Sequence, residues 1–105
     1  MSMAKDGHKL VILGAGGFAR EAFWHVLDFW RASIADSSLS PEGRFIFADD
    51  VTPITSLRIS SFEFPVVKDW QFEIGLSFVV GIGNPTGKAI MVKKALSAGL
   101  RPALT

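Results

Sequence analysis

The apolar residues of this chain fall into short solid runs separated by longer stretches with helical spacing. Leu10, Val11, Ile12 and Leu13 form a wholly apolar run closed by Gly14, the pattern of a strand buried on both faces of a parallel sheet. Over residues 18–34 the period changes. Phe23, Val26, Leu27, Trp30 and Ile34 recur at three- and four-residue steps, while Arg20, Glu21, His25, Asp28 and Arg31 take the polar face. This predicts an amphipathic helix lying on the sheet. Trp24 and Phe29 widen its apolar stripe; left exposed, they would mark a contact surface.

Positions 36–43 carry three serines, Pro41 and Gly43 and predict a loop. Residues 44–48 then predict a second strand with Phe45, Ile46 and Phe47 at its core, ending at Asp49-Asp50. Residues 51–61 show no clear period. Phe62-Glu63-Phe64 alternates, but Pro65 demotes residues 62–67 to an edge strand or a loop. Residues 69–73 fit one helical turn. Residues 76–82 predict the next strand, ending in Gly83-Asn84-Pro85. Thr86 can cap a helix over 87–98 and Gly99 can end it. Ala89, Ile90, Met91, Val92, Ala95 and Leu96 supply its apolar side, and Lys88, Lys93 and Lys94 face water. Residues 101–104 predict the start of a further strand.

The order strand, helix, strand, irregular piece, strand, helix, strand places the chain in the α/β class. It predicts a parallel sheet of βαβ units flanked by helices, half of a doubly wound fold. A chain of 105 residues makes one domain, and no internal repeat, low-complexity segment or linker interrupts it.

In such sheets ligands sit beyond the carboxyl ends of the strands, and three segments converge there. The first is Gly14-Ala15-Gly16-Gly17-Phe18-Ala19-Arg20, in which Gly14, Gly16 and Ala19 fit the spacing G-x-G-x-x-G/A. Gly14 permits the tight turn, Gly16 lets a phosphate approach the backbone, and Ala19 permits close helix packing. A helix opening directly after such a turn aims free N–H groups at an anion. The second segment is Asp49-Asp50, whose carboxylates can accept from a ribose hydroxyl, another sugar hydroxyl or a base imide. Asp49 lies 33 residues past Gly16, against about 20 in dinucleotide enzymes. The third is Gly81-Ile82-Gly83-Asn84, with one amide that both donates and accepts. A tight turn, a solvated acidic pair and a helix-preceding turn are the plain structural readings of the same three segments.

Charge and composition remove several alternatives. Eleven Lys and Arg stand against ten Asp and Glu, so nothing favours nucleic acid or an anionic membrane as partner. The chain has no cysteine, which excludes disulfides, thiolate nucleophiles and Cys-type zinc sites. His8 and His25 lack companions at metal-ligand spacing, so no metal and no catalytic residue is expected. No apolar run approaches the ~20 residues of a membrane span, and the polar N-terminus lacks an export core. A cytoplasmic location is the expectation.

The runs Leu10-Val11-Ile12-Leu13-Gly14-Ala15-Gly16-Gly17-Phe18-Ala19-Arg20-Glu21, Phe47-Ala48-Asp49-Asp50 and Phe78-Val79-Val80-Gly81-Ile82-Gly83-Asn84 together resemble the N-terminal domain of bacterial sugar acyltransferases. These include the sialic-acid O-acetyltransferases and the acetyltransferases of UDP-4-amino-sugars. The resemblance covers nearly the whole chain, including the closing residues 98–105. It implies a Rossmann-like domain that binds a nucleotide-sugar, a UDP-sugar first. The glycine loop would contact phosphate or sugar, Asp49-Asp50 would face the base, and Gly83-Asn84 would help close the site. It also implies a second domain outside these residues, a left-handed β-helix that binds acetyl-CoA, carries the catalytic histidine and forms homotrimers. Many members read Gly-Ala-Gly-Gly-His-Gly where this chain has Phe18 and Ala19, so a polar contact from position 18 is lost here. Two other readings stay open on the residues: an NAD(P)-binding oxidoreductase fragment, and a stand-alone nucleotide-binding module without catalysis.

Overall fold

The structure, a computed structural model, describes residues 10–32, 40–73 and 75–103. Over these residues the chain is mixed α/β, with six strands in one mostly parallel sheet and two helices. In chain order the elements are β1 (Leu10–Leu13), α1 (Gly17–Ala32), β2 (Phe45–Ala48), β3 (Ser56–Ile59), β4 (Phe62–Val67), β5 (Ser77–Val80), α2 (Pro85–Ser97) and β6 (Arg101–Pro102). The sheet order is β3-β4-β2-β1-β5-β6. Only β3 runs against its neighbour; β4, β2, β1, β5 and β6 pair in parallel.

β1 is central, and all four of its residues are buried. Alternate side chains of a strand point to opposite faces, so β1 supplies both cores. Leu10 and Ile12 join Phe23, Leu27 and Trp30 of α1, with Phe45, Phe47 and Phe64 of β2 and β4. Val11 and Leu13 join Met91 and Ala95 of α2, with Ile46, Ala48 and Phe78. The two helices therefore cover opposite faces of the sheet. The α1 face is an aromatic cluster around Phe23, whose ring centroid lies 5.0 Å from that of Phe64 and 5.5 Å from that of Phe45.

The stretch 51–61, expected to be irregular, contains β3. Ser56 and Arg58 are exposed while Leu57 and Ile59 are buried, a period-2 alternation too short to stand out. Ser60 and Ser61 turn the chain into β4, with Ser60 at φ +57°, as tight hairpins require. Pro65 does not push β4 to the edge, because β3 takes that place. Val66 donates to the Thr55 carbonyl at 2.9 Å, so Pro65, opposite Ser56, falls where no bond to β3 is due. The parallel register to β2 begins only at Val66. A missing N–H at position 65 therefore breaks neither ladder.

Residues 69–73 form no helical turn; the chain is irregular there and Trp70 takes φ +57°. α2 is capped by Asn84 rather than Thr86: the Asn84 side chain accepts from Gly87 N at 3.0 Å, and Pro85 occupies the first helical position, where its missing N–H costs nothing. At its other end Gly99 (φ +91°) closes α2 as expected, with Leu100 N donating to Ala95 O and Gly99 N to Leu96 O. Ile34, part of the loop at 36–43, His8 and Leu104 lie outside the described residues. No helix among the described residues is long and apolar enough to cross a membrane.

Phe23 is fully buried, and truncating such a ring removes transfer energy and leaves a cavity. Phe23→Ala is expected to lower unfolding free energy by about 3–5 kcal/mol, read as a fall in urea midpoint. Phe29→Ala, at an exposed position of the same helix, is expected to change it by about 0.5 kcal/mol or less.

Candidate functional site

β2 and β5 lie on opposite sides of β1, so the chain leaves the carboxyl end of β1 in one direction and that of β5 in the other. The glycine loop and the 81–84 segment meet at this divide. Gly14 takes φ +103°, and a Cβ there would stand 2.9 Å from both the Gly81 carbonyl oxygen and Ile82. Position 14 thus admits only glycine, on conformational and on steric grounds. A Cβ at Gly81 would lie 2.7 Å from the Ala19 Cα, and Ala19 is fully buried. The small pair Ala19 and Gly81 is what lets α1 approach the end of β5. Hydrogen bonds complete the junction: Gly14 N to Ala48 O at 2.7 Å and Gly81 N to Leu13 O at 2.9 Å.

Gly16 and Gly17 face open space: at either position a Cβ would find no neighbouring atom within 4 Å. Gly16 accepts the first helical bond, from Arg20 N at 3.1 Å. The N–H groups of Gly17, Phe18 and Ala19 therefore have no partner inside α1. Among the described residues no side chain accepts from them, whereas α2 has Asn84 at its start. Ala15 is buried at the turn. Phe18 is 61% exposed, and its ring edge lies against Gly83, where any side chain would collide with it. Phe18 thus bridges the first and third segments across the mouth of the crevice.

Arg20 points away from this mouth. Its guanidinium donates to the Arg58 carbonyl of β3 at 2.7 Å, tying α1 to the sheet edge. Asn84 has its side-chain oxygen engaged in the α2 cap. Of the eleven sequence-predicted site residues, the structure brings Gly14, Ala15, Gly16, Gly17, Phe18, Ala19 and Gly83 together where the ends of β1 and β5 meet the start of α1. Arg20 and Asn84 hold neighbouring elements.

The Asp49-Asp50 turn adjoins the crevice through Ala48, but its carboxylates face elsewhere. Asp49 is buried and accepts from Val51 N at 2.7 Å, Thr52 N at 3.0 Å and the Thr52 hydroxyl at 3.0 Å. The Lys68 ammonium closes the same loop by donating to the Asp49 and Thr52 carbonyls. Asp50 turns toward α2, accepting from Lys94 Nζ at 2.5 Å and from the Trp70 indole N–H at 3.0 Å. The Lys94 hydrogen bond first, then the Trp70 bond, hold its carboxyl below the usual carboxylate range. Lys94, expected simply to face water, is therefore half of an ion pair. Neither Lys68 nor Trp70 carried a sequence signal for these roles, since both depend on where β4 ends relative to β2.

Among the described residues no three His, Cys, Asp or Glu side chains gather as a metal site. The chain matches no protein-family model, no curated protein and no solved structure.

Two outcomes test this geometry. Gly81→Ala, which drives a methyl into the α1 backbone, is expected to cost about 1–3 kcal/mol. Gly16→Ala, facing open space, is expected to stay within about 0.5 kcal/mol of wild type; chemical denaturation reads both. Asp50 has a folded pKa below its unfolded value of 3.8, so its contribution is present above that value and is lost as pH falls through the folded one. Asp50→Asn is expected to be less stable than wild type by about 0.2–1 kcal/mol at pH 7. That gap should close as pH falls below 3.8 and on through the lowered folded value.

Proposed function

We propose that this chain is the nucleotide-sugar-binding domain of a bacterial sugar acyltransferase, Rossmann-like in arrangement, with its ligand at the β1–β5 crevice. The observation that carries this reading is the start of α1. Among the described residues the N–H groups of Gly17, Phe18 and Ala19 have no partner; they lie at the positive end of a 16-residue helix, where a Cβ at Gly16 or Gly17 would meet no atom within 4 Å. A phosphate or pyrophosphate suits that combination of donors and dipole. The three-part motif resemblance, spread over nearly the whole chain, supports the nucleotide-sugar class in particular.

In this reading the backbone of Gly16, Gly17 and Phe18 cradles phosphate, and Phe18 offers its exposed ring to the organic part of the ligand. The Asp49-Asp50 turn borders the base with a rigid backbone, its carboxylates occupied in holding the turn. Lys68 and Asp49 make that border stiff. The acyl-transfer chemistry falls to a further domain that binds acetyl-CoA, where a histidine takes a proton from the attacking sugar hydroxyl or amine. A UDP-sugar is the first choice of ligand.

The oxidoreductase alternative needs a carboxylate at the end of β2 that is available to a ribose. Asp49 accepts three hydrogen bonds from its own loop and Asp50 is paired with Lys94. That engagement removes the support the acidic pair would give NAD(P), and equally leaves neither carboxylate for a direct contact to a nucleotide base.

A thermal-shift titration with UDP-sugars, CMP-sugars, NADH and CoA tests the proposal. Ligand at 100 times its Kd adds about 2.7 kcal/mol, which raises Tm by roughly 10 °C or more in a chain of this size. UDP-sugars are expected to do so; tight NADH binding with no UDP effect would sink the reading. Gly17→Asp places a carboxylate where the phosphate would sit, at a helix end that favours negative charge. It is expected to keep the wild-type Tm without ligand and to weaken UDP-sugar binding roughly tenfold or more.

A further inference from the structure

The connection from β4 to β5 crosses two strands without a helix. β4 and β5 run parallel on either side of β2 and β1, a crossover usually made through a helix. Here residues 68–76 make it, with no regular structure among the described ones. The crossing is three strand spacings, about 14 Å, and the run back from the level of Leu13 to that of Leu10 adds about 10 Å along the strands. A chain of this length, extended, reaches about 30 Å, so it has slack and its length does not fix its path. Backbone pairing does not fix it either. Among the described residues no backbone group of residues 69–73 bonds to another backbone group.

Both ends of this strap are anchored. The Lys68 ammonium donates to the Asp49 and Thr52 carbonyls. Leu76 is buried, and its carbonyl accepts from Arg101 N at 3.1 Å. Between these anchors side chains hold the strap. Trp70 and Phe72, both half-buried, pack against the core that α2 shares with the sheet, their ring centroids 6.2 Å apart. The Trp70 indole N–H and the Lys94 ammonium both donate to one oxygen, Oδ2 of Asp50. Asp50 stands on a stiff turn, because Asp49 beside it accepts three bonds from Val51 and Thr52. Trp70 takes φ +57°, a conformation that is costly for a bulky side chain and persists only where the surroundings impose it. Beside the indole lies a shallow hollow of about 550 Å³ along Ile90, Lys93 and Ser97, which gives the ring room to move.

We infer that residues 69–75 form a strap that opens and closes on the α2 face while the strands stay paired, and that Asp50 is its latch. Opening relieves the left-handed backbone at Trp70. Gly75, at φ +88°, serves as a hinge, since glycine passes between positive and negative φ at little cost. The opening uncovers two half-buried rings and breaks no strand pairing, which places it at the low end of local stabilities. Closing makes both bonds to Asp50 Oδ2 together. The latch thus joins three elements far apart in sequence: the turn after β2, the strap and α2. It does not depend on the ligand at the crevice.

Hydrogen exchange of the Trp70 indole N–H, followed by NMR and assigned by its loss in Trp70→Phe, tests the inference. Its protection is expected to exceed that of the exposed Trp24 indole by roughly tenfold, the effect of a hydrogen bond to a charged acceptor. It is expected to fall short of the Val11 and Ile12 amide protection by roughly a hundredfold or more, because β1 opens only with the whole sheet. Asp50→Ala is expected to lower the Trp70 protection roughly tenfold, with unchanged far-UV circular dichroism. Phe72→Ala removes a neighbouring ring and no partner of the indole N–H. It is expected to lower the same protection about threefold or more, because the strap moves as one piece. A Trp70 indole no better protected than Trp24 overturns the inference, and so does one protected as strongly as β1. Unchanged protection in Asp50→Ala removes the latch, and unchanged protection in Phe72→Ala removes the strap.

Discussion

One close approach constrains much of this architecture: α1 lies against the end of β5 through Ala19 and Gly81, with no side chain larger than a methyl between them. That contact draws the glycine loop onto the 81–84 segment and leaves Gly14 a left-handed turn to make. It also sets how far α1 sinks into the sheet, and hence how Phe23, Leu27 and Trp30 reach the aromatic cluster. A helix held this low presents its first N–H groups beside the crevice. The same constraint therefore governs packing on one face and donor placement at the strand ends.

The acidic turn shows how a residue type suited to ligand contact can be absorbed by structure. A buried carboxylate without hydrogen bonds is costly. Asp49 meets that demand from its own loop, and Lys68 satisfies the carbonyls that the loop leaves open. Asp50 is drawn the other way, to Lys94 on the helix across the opposite face. Trp70, at φ +57°, joins that pair from the segment after β4, with Lys94 Nζ 5.9 Å from its ring centroid. The result is a stiff rim at the end of β2 and a crevice whose available donors are backbone groups.

Much of each helix stays exposed because the sheet is thinly covered. Each face of the sheet has one helix, so each helix buries a narrow strip and exposes the rest. In α2 only Met91 and Ala95 are buried, and Ile90 and Leu96 remain half exposed.

The sequence alone determined β1, both helices, the turn at Gly14 and the stop at Gly99, because each rests on local patterns: a solid apolar run, a 3.6-residue period, a glycine where φ must be positive. It also determined that Gly14, Gly16 and Ala19 belong to one turn between strand and helix. Only the tertiary structure decided the fate of residues 51–73. β3 is four residues long and Pro65 argues against a strand, yet pairing at Thr55, Val66 and Val67 makes both β3 and β4 members of the sheet. Tertiary structure likewise decided which candidate polar groups stay available. Arg20, Asp49, Asp50 and Asn84 are each taken by a partner; those of Asp49 and Asn84 lie two or three residues away, whereas Arg20 and Asp50 have distant ones that a local pattern does not reveal. Side-chain periodicity reports which face of an element is buried; it carries no information on which distant donor will arrive at a carboxylate once the strands are in register.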